Sequence, residues 1–279
     1  MAELLVHGRQ LFRAKWDGRT ATFAALYVLY DDDSWLGASL ESVYDSVGAI
    51  YVLVSDRPWA GKPGDVASTL RTLSAFPDPA GKVRLIRGEW QGSSPAEAET
   101  AERNAGLAAI WRDGYDYAAI VDGDEVYKPA ELRRMMAVAA EHPHVEGWLV
   151  NLYTYWKDQF HRIDPPEPLR PTLFLKRGRR FTHIRATDAA VSAVLPAEMG
   201  RCHHLSYART DEGCLAKISH FAHAGEIVPG WYERIWKGWD ADPTMENLHP
   251  THPAAYGRAI EVAESELPAS LRSRALEAV

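Results

Sequence analysis

The feature that most constrains this chain is the stretch Tyr115-Asp-Tyr-Ala-Ala-Ile-Val-Asp-Gly-Asp-Glu-Val126, where a short apolar run ends in Asp122-Gly-Asp124-Glu125. Such a run, bounded by turn residues, reads as a buried strand, so the acids gather at its carboxyl end. Three carboxylates within four residues repel one another unless positive charge sits between them, and a hard divalent cation with oxygen ligands is the usual answer. An Asp-x-Asp alone also arises as a helix cap or a solvated turn. The preceding strand gives it weight, because ligands of open α/β sheets bind outside the carboxyl ends of strands. A cation there that also grips a diphosphate would make a nucleotide-sugar site.

Similar alternation runs through the first half. The apolar run Thr22–Tyr30 predicts a strand, and Asp31-Asp-Asp-Ser34 offers N-cap residues for a helix with Leu36, Leu40, Val43 and Val47 on one face, closed by Gly48. Ala49–Val54 is a second strand ending in Ser55-Asp56-Arg57, a helix is expected from Val66 to Phe76, and Val83–Ile86 is a third strand. Ser94-Pro-Ala-Glu97 is a capping box with Pro at the first helical position, so a helix runs to about Arg112 and stops near Gly114. Pro129 opens another, through Ala140.

Strands alternating with helices imply a parallel sheet with right-handed crossovers, a Rossmann-like half. After about residue 145 the texture changes. Gly147–Trp156 and Thr172–Lys176 look like strands without alternating helices, so this half should be α+β. With no flexible linker, the two halves are expected to share one sheet.

A chain of 279 residues, 46% of them hydrophobic, can bury a real core as one large domain. The net charge of -7, without a compensating Lys/Arg cluster, argues against nucleic acid as a partner. Cys202 and Cys214 cannot form a disulfide framework, and a reducing compartment is the simpler inference. No secretory leader or membrane-length apolar segment is visible, so a soluble cytoplasmic protein is expected.

The order of an apolar strand with acidic loop, a strand ending in Ser55-Asp56, a helix containing Arg103-Asn104-Ala-Gly-Leu107 and a strand ending in Asp122-Gly-Asp124 resembles glycosyltransferases of the GT-A fold, especially family 2, over residues 20 to 130. Cys202-His203-His204-Leu-Ser-Tyr207, Lys217-Ile-Ser-His220-Phe-Ala-His223 and Glu226 resemble the C-terminal part of family 17. The resemblance implies a single Rossmann-like GT-A domain. Its mostly parallel sheet is flanked by helices, with a nucleotide-sugar-binding half at 20–128 and an acceptor-side half at 129–279. It further implies a metal-dependent, inverting sugar transfer from a nucleotide-sugar donor to a sugar or other hydroxyl acceptor.

In that scheme Mn²⁺ or Mg²⁺ stabilises the charge that develops on the departing diphosphate. Asp124 holds the metal directly, and Asp122 holds it or acts through ribose or water. Asp56 reads the nucleotide base, and Tyr30 and Asp31 line the same crevice. Arg103 approaches a phosphate, pairs with the acidic cluster or is simply a solvated helix cation, while Asp31 is equally well a helix cap. One histidine of the second half completes the metal shell: His204 first, since His-x-Ser-Tyr matches the family segment, then His223. The His and Cys spacing fits no structural zinc template.

An inverting transfer needs a carboxylate base facing the acceptor. Asp211 and Glu212, before an expected helix, and Asp188 as the alternative are the candidates, although the usual Glu-Asp pair is missing. Trp231, Tyr232, Trp236 and Trp239 could stack on sugar rings, but core packing accounts for them more simply. Two other readings stay open: a nucleotidyltransferase, whose first-strand loop would normally be Gly-rich and basic, and a non-catalytic carbohydrate-binding relative.

Overall fold

The computed structural model describes residues 21–30, 34–59, 65–220 and 226–272, together with a short antiparallel pair at Leu5–Val6 and Arg9–Gln10. The four apolar runs of the first half form β1 (Phe23–Leu29), β2 (Ala49–Ser55), β3 (Val83–Gly88) and β4 (Tyr117–Ile120), all parallel, in the order β3-β2-β1-β4. Every residue of β1 and β2 is buried, as expected for parallel strands covered on both faces. The period-2 alternation divides their side chains. Ala25, Tyr27 and Leu29 pack with α1 (Leu36–Tyr44), whereas Ala24, Leu26 and Val28 meet Leu107 and Ile110 of α3 (Pro95–Arg112). Helix α2 (Val66–Ala75) follows β2.

Local signals fix most of these boundaries, with two shifts. Helix α1 stops at Tyr44 rather than at Gly48, because the Asp45 and Ser46 amides turn back to the Val43 carbonyl; Val47 is nevertheless buried beyond its end. Gly48 answers to packing instead, since a Cβ there would lie 2.9 Å from the Tyr115 ring. The expected cap residues Asp31 to Asp33 lie outside the described residues, and the N-cap position, Trp35, makes no side-chain cap bond. At α3, Ser94 Oγ accepts from the Glu97 amide at 3.3 Å, but the Glu97 carboxylate reaches the Ser93 amide at 2.8 Å, one residue before the position a capping box predicts.

The first half ends in β5 (Glu125–Val126), and the second contributes α4 (Pro129–Glu141), β6 (Gly147–Leu149), β7 (Leu152–Trp156), β8 (His161–Asp164) and β9 (Thr172–Lys176). There follow β10 (Phe181–His183), β11 (Ala186–Thr187), β12 (Ser192–Val194), β13 (Cys202–Tyr207), α5 (Asp211–His220), β14 (Arg258–Glu261) and α6 (Ala269–Arg272). The main sheet becomes seven-stranded, β12-β6-β9-β4-β1-β2-β3, and a five-stranded sheet, β14-β8-β7-β13-β5, stands beside it. The fold is α/β with a large, mostly parallel sheet. The single strand expected over Gly147–Trp156 is two, one in each sheet, because the chain crosses between sheets at Val150 and Asn151; the Asn151 carbonyl accepts from Cys202 N at 3.0 Å.

The halves therefore interleave: β6, β9 and β12 extend the main sheet, while β5 belongs to the second. Trp156, Trp231, Trp236 and Trp239 are buried together in the second half's core, so the aromatic segment is packing. Cys202 and Cys214 are both buried and unbridged. Among the described residues no helix is long and apolar enough to cross a membrane.

Candidate functional site

The chain runs β1, β2, β3 in one direction across the sheet and then returns to lay β4 on the other side of β1. That reversal opens a crevice outside the carboxyl ends of β1 and β4, the place where open α/β sheets bind ligands. Asp122 follows β4, Tyr30 follows β1 and Asp56 follows β2. Adjacent strands stand about 4.8 Å apart, so Asp56 lies roughly 10 Å along the edge from Asp122. The acidic loop is pinned from beneath by Ser39 of α1, whose hydroxyl donates to the Glu125 carbonyl at 2.6 Å and to the Asp122 carbonyl at 3.3 Å. From the other side, β13 pairs with β5, setting His204 opposite Glu125, and Leu205 N donates to the Asp124 carbonyl at 2.7 Å.

Arginines answer the mutual repulsion of these acids. Arg185 Nη1 donates to Asp122 at 2.9 Å and to Glu125 at 2.5 Å, while its Nη2 reaches the carbonyls of Ile120 and Thr172. Arg103 Nη2 donates to the other Asp122 oxygen at 3.1 Å and to Glu99 at 2.9 Å. Burial would push the Asp122 carboxyl up, but the Arg185 and Arg103 guanidiniums outweigh it and hold it below the usual carboxylate range. At Glu125 burial wins over Arg185 and the carboxyl is raised. Arg103 is thus a buried partner of Asp122 rather than a solvated cation. Beside it, Glu102 is fully buried: Trp59 Nε1 donates to one oxygen at 2.7 Å, the other has no partner among the described residues, and burial pushes this carboxyl up to about 8.

Asp124 faces a different set. Its Oδ2 lies 3.3 Å from both Lys217 Nζ and Arg209 Nη2, and its Oδ1 lies 3.8 Å from His204 Nε2. Burial acts against ionisation; Lys217, His204 and Arg209 more than offset it, and Asp124 is held far below the ordinary range. Behind the imidazole, Glu167 lies 3.7 Å from His204 Nδ1 and accepts from Thr154 Oγ1. Burial would lower the His204 pKa, but Glu167 and Asp124 raise it above its ordinary value.

The remaining expected residues are dispersed. Asp56 is exposed and paired with Arg87 of β3. Asp211 opens α5, accepting from Trp236 Nε1 at 2.8 Å with Lys157 and Lys237 nearby; Glu212 beside it is exposed. Asp188 accepts from the Arg180 amide at 2.9 Å after the β10–β11 hairpin. His203 is structural: Tyr155 OH meets its Nδ1 at 2.7 Å, and burial pulls its pKa down to about 3. Asp31 and His223 lie outside the described residues.

Mn²⁺ or Mg²⁺ is commonly held by one or two carboxylates plus substrate phosphates and water. Asp124 Oδ1 and His204 Nε2, facing each other across 3.8 Å, suit two positions of such a shell. Among the described residues no group of three or more His, Cys, Asp or Glu side chains could hold a metal. Asp122 turns both oxygens to arginines and does not join Asp124 on that side.

No family model matches the sequence, and no curated protein matches it. Among solved structures, Staphylococcus aureus TarS is similar at 13% identity with a TM-score of 0.41, over 71% of this chain and 38% of that one. A shorter form, TarS 1–349, gives 13% identity and 0.42 over 71% and 63%. Glucosyl-3-phosphoglycerate synthase from Mycobacterium tuberculosis, in complex with Mg²⁺ and uridine diphosphate, gives 12% and 0.33 over 48% and 44%. The chain spans less than two thirds of the length of each of these proteins. At such identities and scores the functional reading rests on the site and not on these likenesses.

Proposed function

We propose that this chain is a metal-dependent glycosyltransferase that moves a sugar from a nucleotide-sugar donor to a hydroxyl acceptor. The observation that carries the reading is Asp124, a buried carboxylate just beyond the end of a parallel strand, which faces His204 on one oxygen and two cations on the other. A diphosphate needs both features: donors for a divalent cation and nearby fixed positive charge. Asp122, 29% exposed despite its two arginines, keeps room to accept a ribose hydroxyl, and Asp56 is proposed to meet the base once released from Arg87.

Asp124 and His204 would hold Mn²⁺ or Mg²⁺, which when bound supplies Lewis-acid stabilisation of charge on the leaving diphosphate. The chain's own residues orient the donor, keep water from the crevice floor and fix the acidic loop through Ser39 and Arg185. Inversion would require a base among Glu212, Asp211 and Asp188. Glu212 is the exposed one, whereas Asp211 and Asp188 already hold Trp236 and the Arg180 amide.

Incubating the protein with a panel of sugar nucleotides and Mn²⁺ tests the reading. Release of free nucleoside diphosphate is expected from at least one. Release of pyrophosphate from a nucleoside triphosphate with a sugar phosphate would make it a nucleotidyltransferase, and sugar binding with no turnover a carbohydrate-binding relative.

A further inference from the structure

Behind the five-stranded sheet, cations gather with little acid to balance them. Tyr153 of β7 and His203 of β13 are register partners and share one face, whereas the next pair, Thr154 and His204, share the other, which meets Glu167 and Asp124. On the Tyr153 face the guanidiniums of Arg162, from β8, and of Arg201, just before β13, both lie over the tyrosine ring, 4.0 and 4.4 Å from its centre. Lys128, which follows β5, belongs to the same group. After burial, the fields of Lys128, Arg162 and Arg201 are what pull the His203 pKa down, and the His203 ring lies 5.9 Å from that of Tyr153. All three cations are partly buried. Arg162 has one acid, Glu266, at 3.6 Å, whose side chain is 54% exposed, and Arg162 Nε is buried without a partner. Among the described residues Lys128 and Arg201 have no ion pair, and no side-chain hydrogen bond ties any of the three.

We propose that Lys128, Arg162 and Arg201 form a binding site for a phosphate-class dianion, separate from the donor crevice and on the opposite face of the sheet. Stacking on an aromatic ring fixes the plane of a guanidinium and leaves its N–H groups pointing outward along its edges. Two such forks on one ring are held ready for a tetrahedral anion, whose oxygens point in several directions. A carboxylate has two oxygens in a single plane and would engage fewer of these donors. Three cations against one exposed acid leave an excess of positive charge that a dianion matches. Lysine and arginine are donors only, so the site takes the anion in its ionised form, and the anion gives Arg162, whose Nε lacks a partner, a counter-charge. This site goes beyond the proposed transfer, since it uses none of the residues assigned to metal or donor, and it stands or falls independently of that reading.

The test titrates inorganic phosphate into the full chain by calorimetry, without divalent metal. Wild type should bind it saturably with a Kd on the order of 1 mM. Arg201→Gln should weaken binding by about ten- to a hundredfold, the usual loss for a charge-assisted contact, and Lys128→Gln by about tenfold. Glu266→Gln should tighten it by about twofold by removing the competing acid, a change that damage to the fold would not produce. Lys217→Gln, on the donor side, should stay near wild type. Glycerol 3-phosphate, titrated in the same way, separates two sources of the anion. An affinity about tenfold above that of phosphate marks an ester of a larger molecule, equal affinity marks free phosphate, and in either case Arg201→Gln must weaken it. No saturable phosphate binding by wild type, affinity unchanged in both Arg201→Gln and Lys128→Gln, or a loss in Lys217→Gln as large as in Arg201→Gln, would overturn the proposal.

Discussion

At the scale of single residues, the site depends on where burial and pairing set charge. Glu102 is the sharpest case, with its carboxyl pushed from the ordinary range to about 8 by burial. A raised folded-state value means that its neutral form stabilises the fold fully below the unfolded value of about 4.3, and that this contribution is lost as pH rises through about 8. Glu102→Gln should therefore flatten the fall in melting temperature between pH 5 and 8 and leave the variant more stable than wild type above pH 8. Parallel melting curves for the two proteins would contradict the assignment. Arg185 is the complementary case, since among the described residues it alone bridges Asp122 and Glu125. Arg185→Met should cost about 3–5 kcal/mol at neutral pH, as loss of one partner of a buried pair does. Denaturant titrations at pH 5 and pH 8 should show the smaller loss at pH 5, because burial already raises the Glu125 carboxyl and removing Arg185 raises it further, which favours its neutral form as pH falls.

These residues differ in how readily the sequence discloses them. Asp122 and Asp124 were legible because strand and acids are adjacent in the chain. Arg185, Arg209 and Lys217 were not, because their partners lie 60, 85 and 93 residues away and no local period links them. The need for positive charge among three clustered acids was the one available signal; it pointed to a metal and to Arg103, whereas nothing in the chain pointed to Arg185. Glu167, poised on His204, follows a turn with no pattern of its own.

Among the elements, strand and helix identities in the first half were set by continuous apolar runs and caps, and the structure follows them to within a few residues. What pattern could not foresee was the sheet change at Val150 and Asn151, which depends on distant Pro171 and Cys202 as bonding partners. The tightest seam is α3 against β1 and β2: a Cβ at Gly106 would lie 2.3 Å from Leu26 Cδ1 and 3.0 Å from Leu53 Cδ1. Gly106→Ala should accordingly destabilise the fold by about 1–3 kcal/mol through overpacking, despite the gain in helix propensity that alanine normally brings. Because α3 also carries Arg103, a shift of the helix would move a partner of Asp122. Chemical denaturation checks the sign: a more stable Gly106→Ala would show that the seam can relax.

For the whole molecule, the interleaved sheets place the acidic loop between them. Asp122 and Asp124 come from the strand-and-helix half, and Arg185, His204, Arg209 and Lys217 from the other. Folding of both halves is thus a condition for any site. Asp124 is 4% exposed, so Asp124→Asn also leaves two cations short of a partner and should lower the melting temperature. The central claim, that this junction holds a metal-bound nucleoside diphosphate, is tested most directly by titrating uridine and guanosine diphosphates into wild type and Asp124→Asn, with and without Mn²⁺, below the variant's melting temperature. The account predicts that at least one nucleotide binds wild type, that Mn²⁺ strengthens it by about tenfold or more, and that Asp124→Asn abolishes the strengthening. Equal, metal-independent affinity in the two proteins would contradict it.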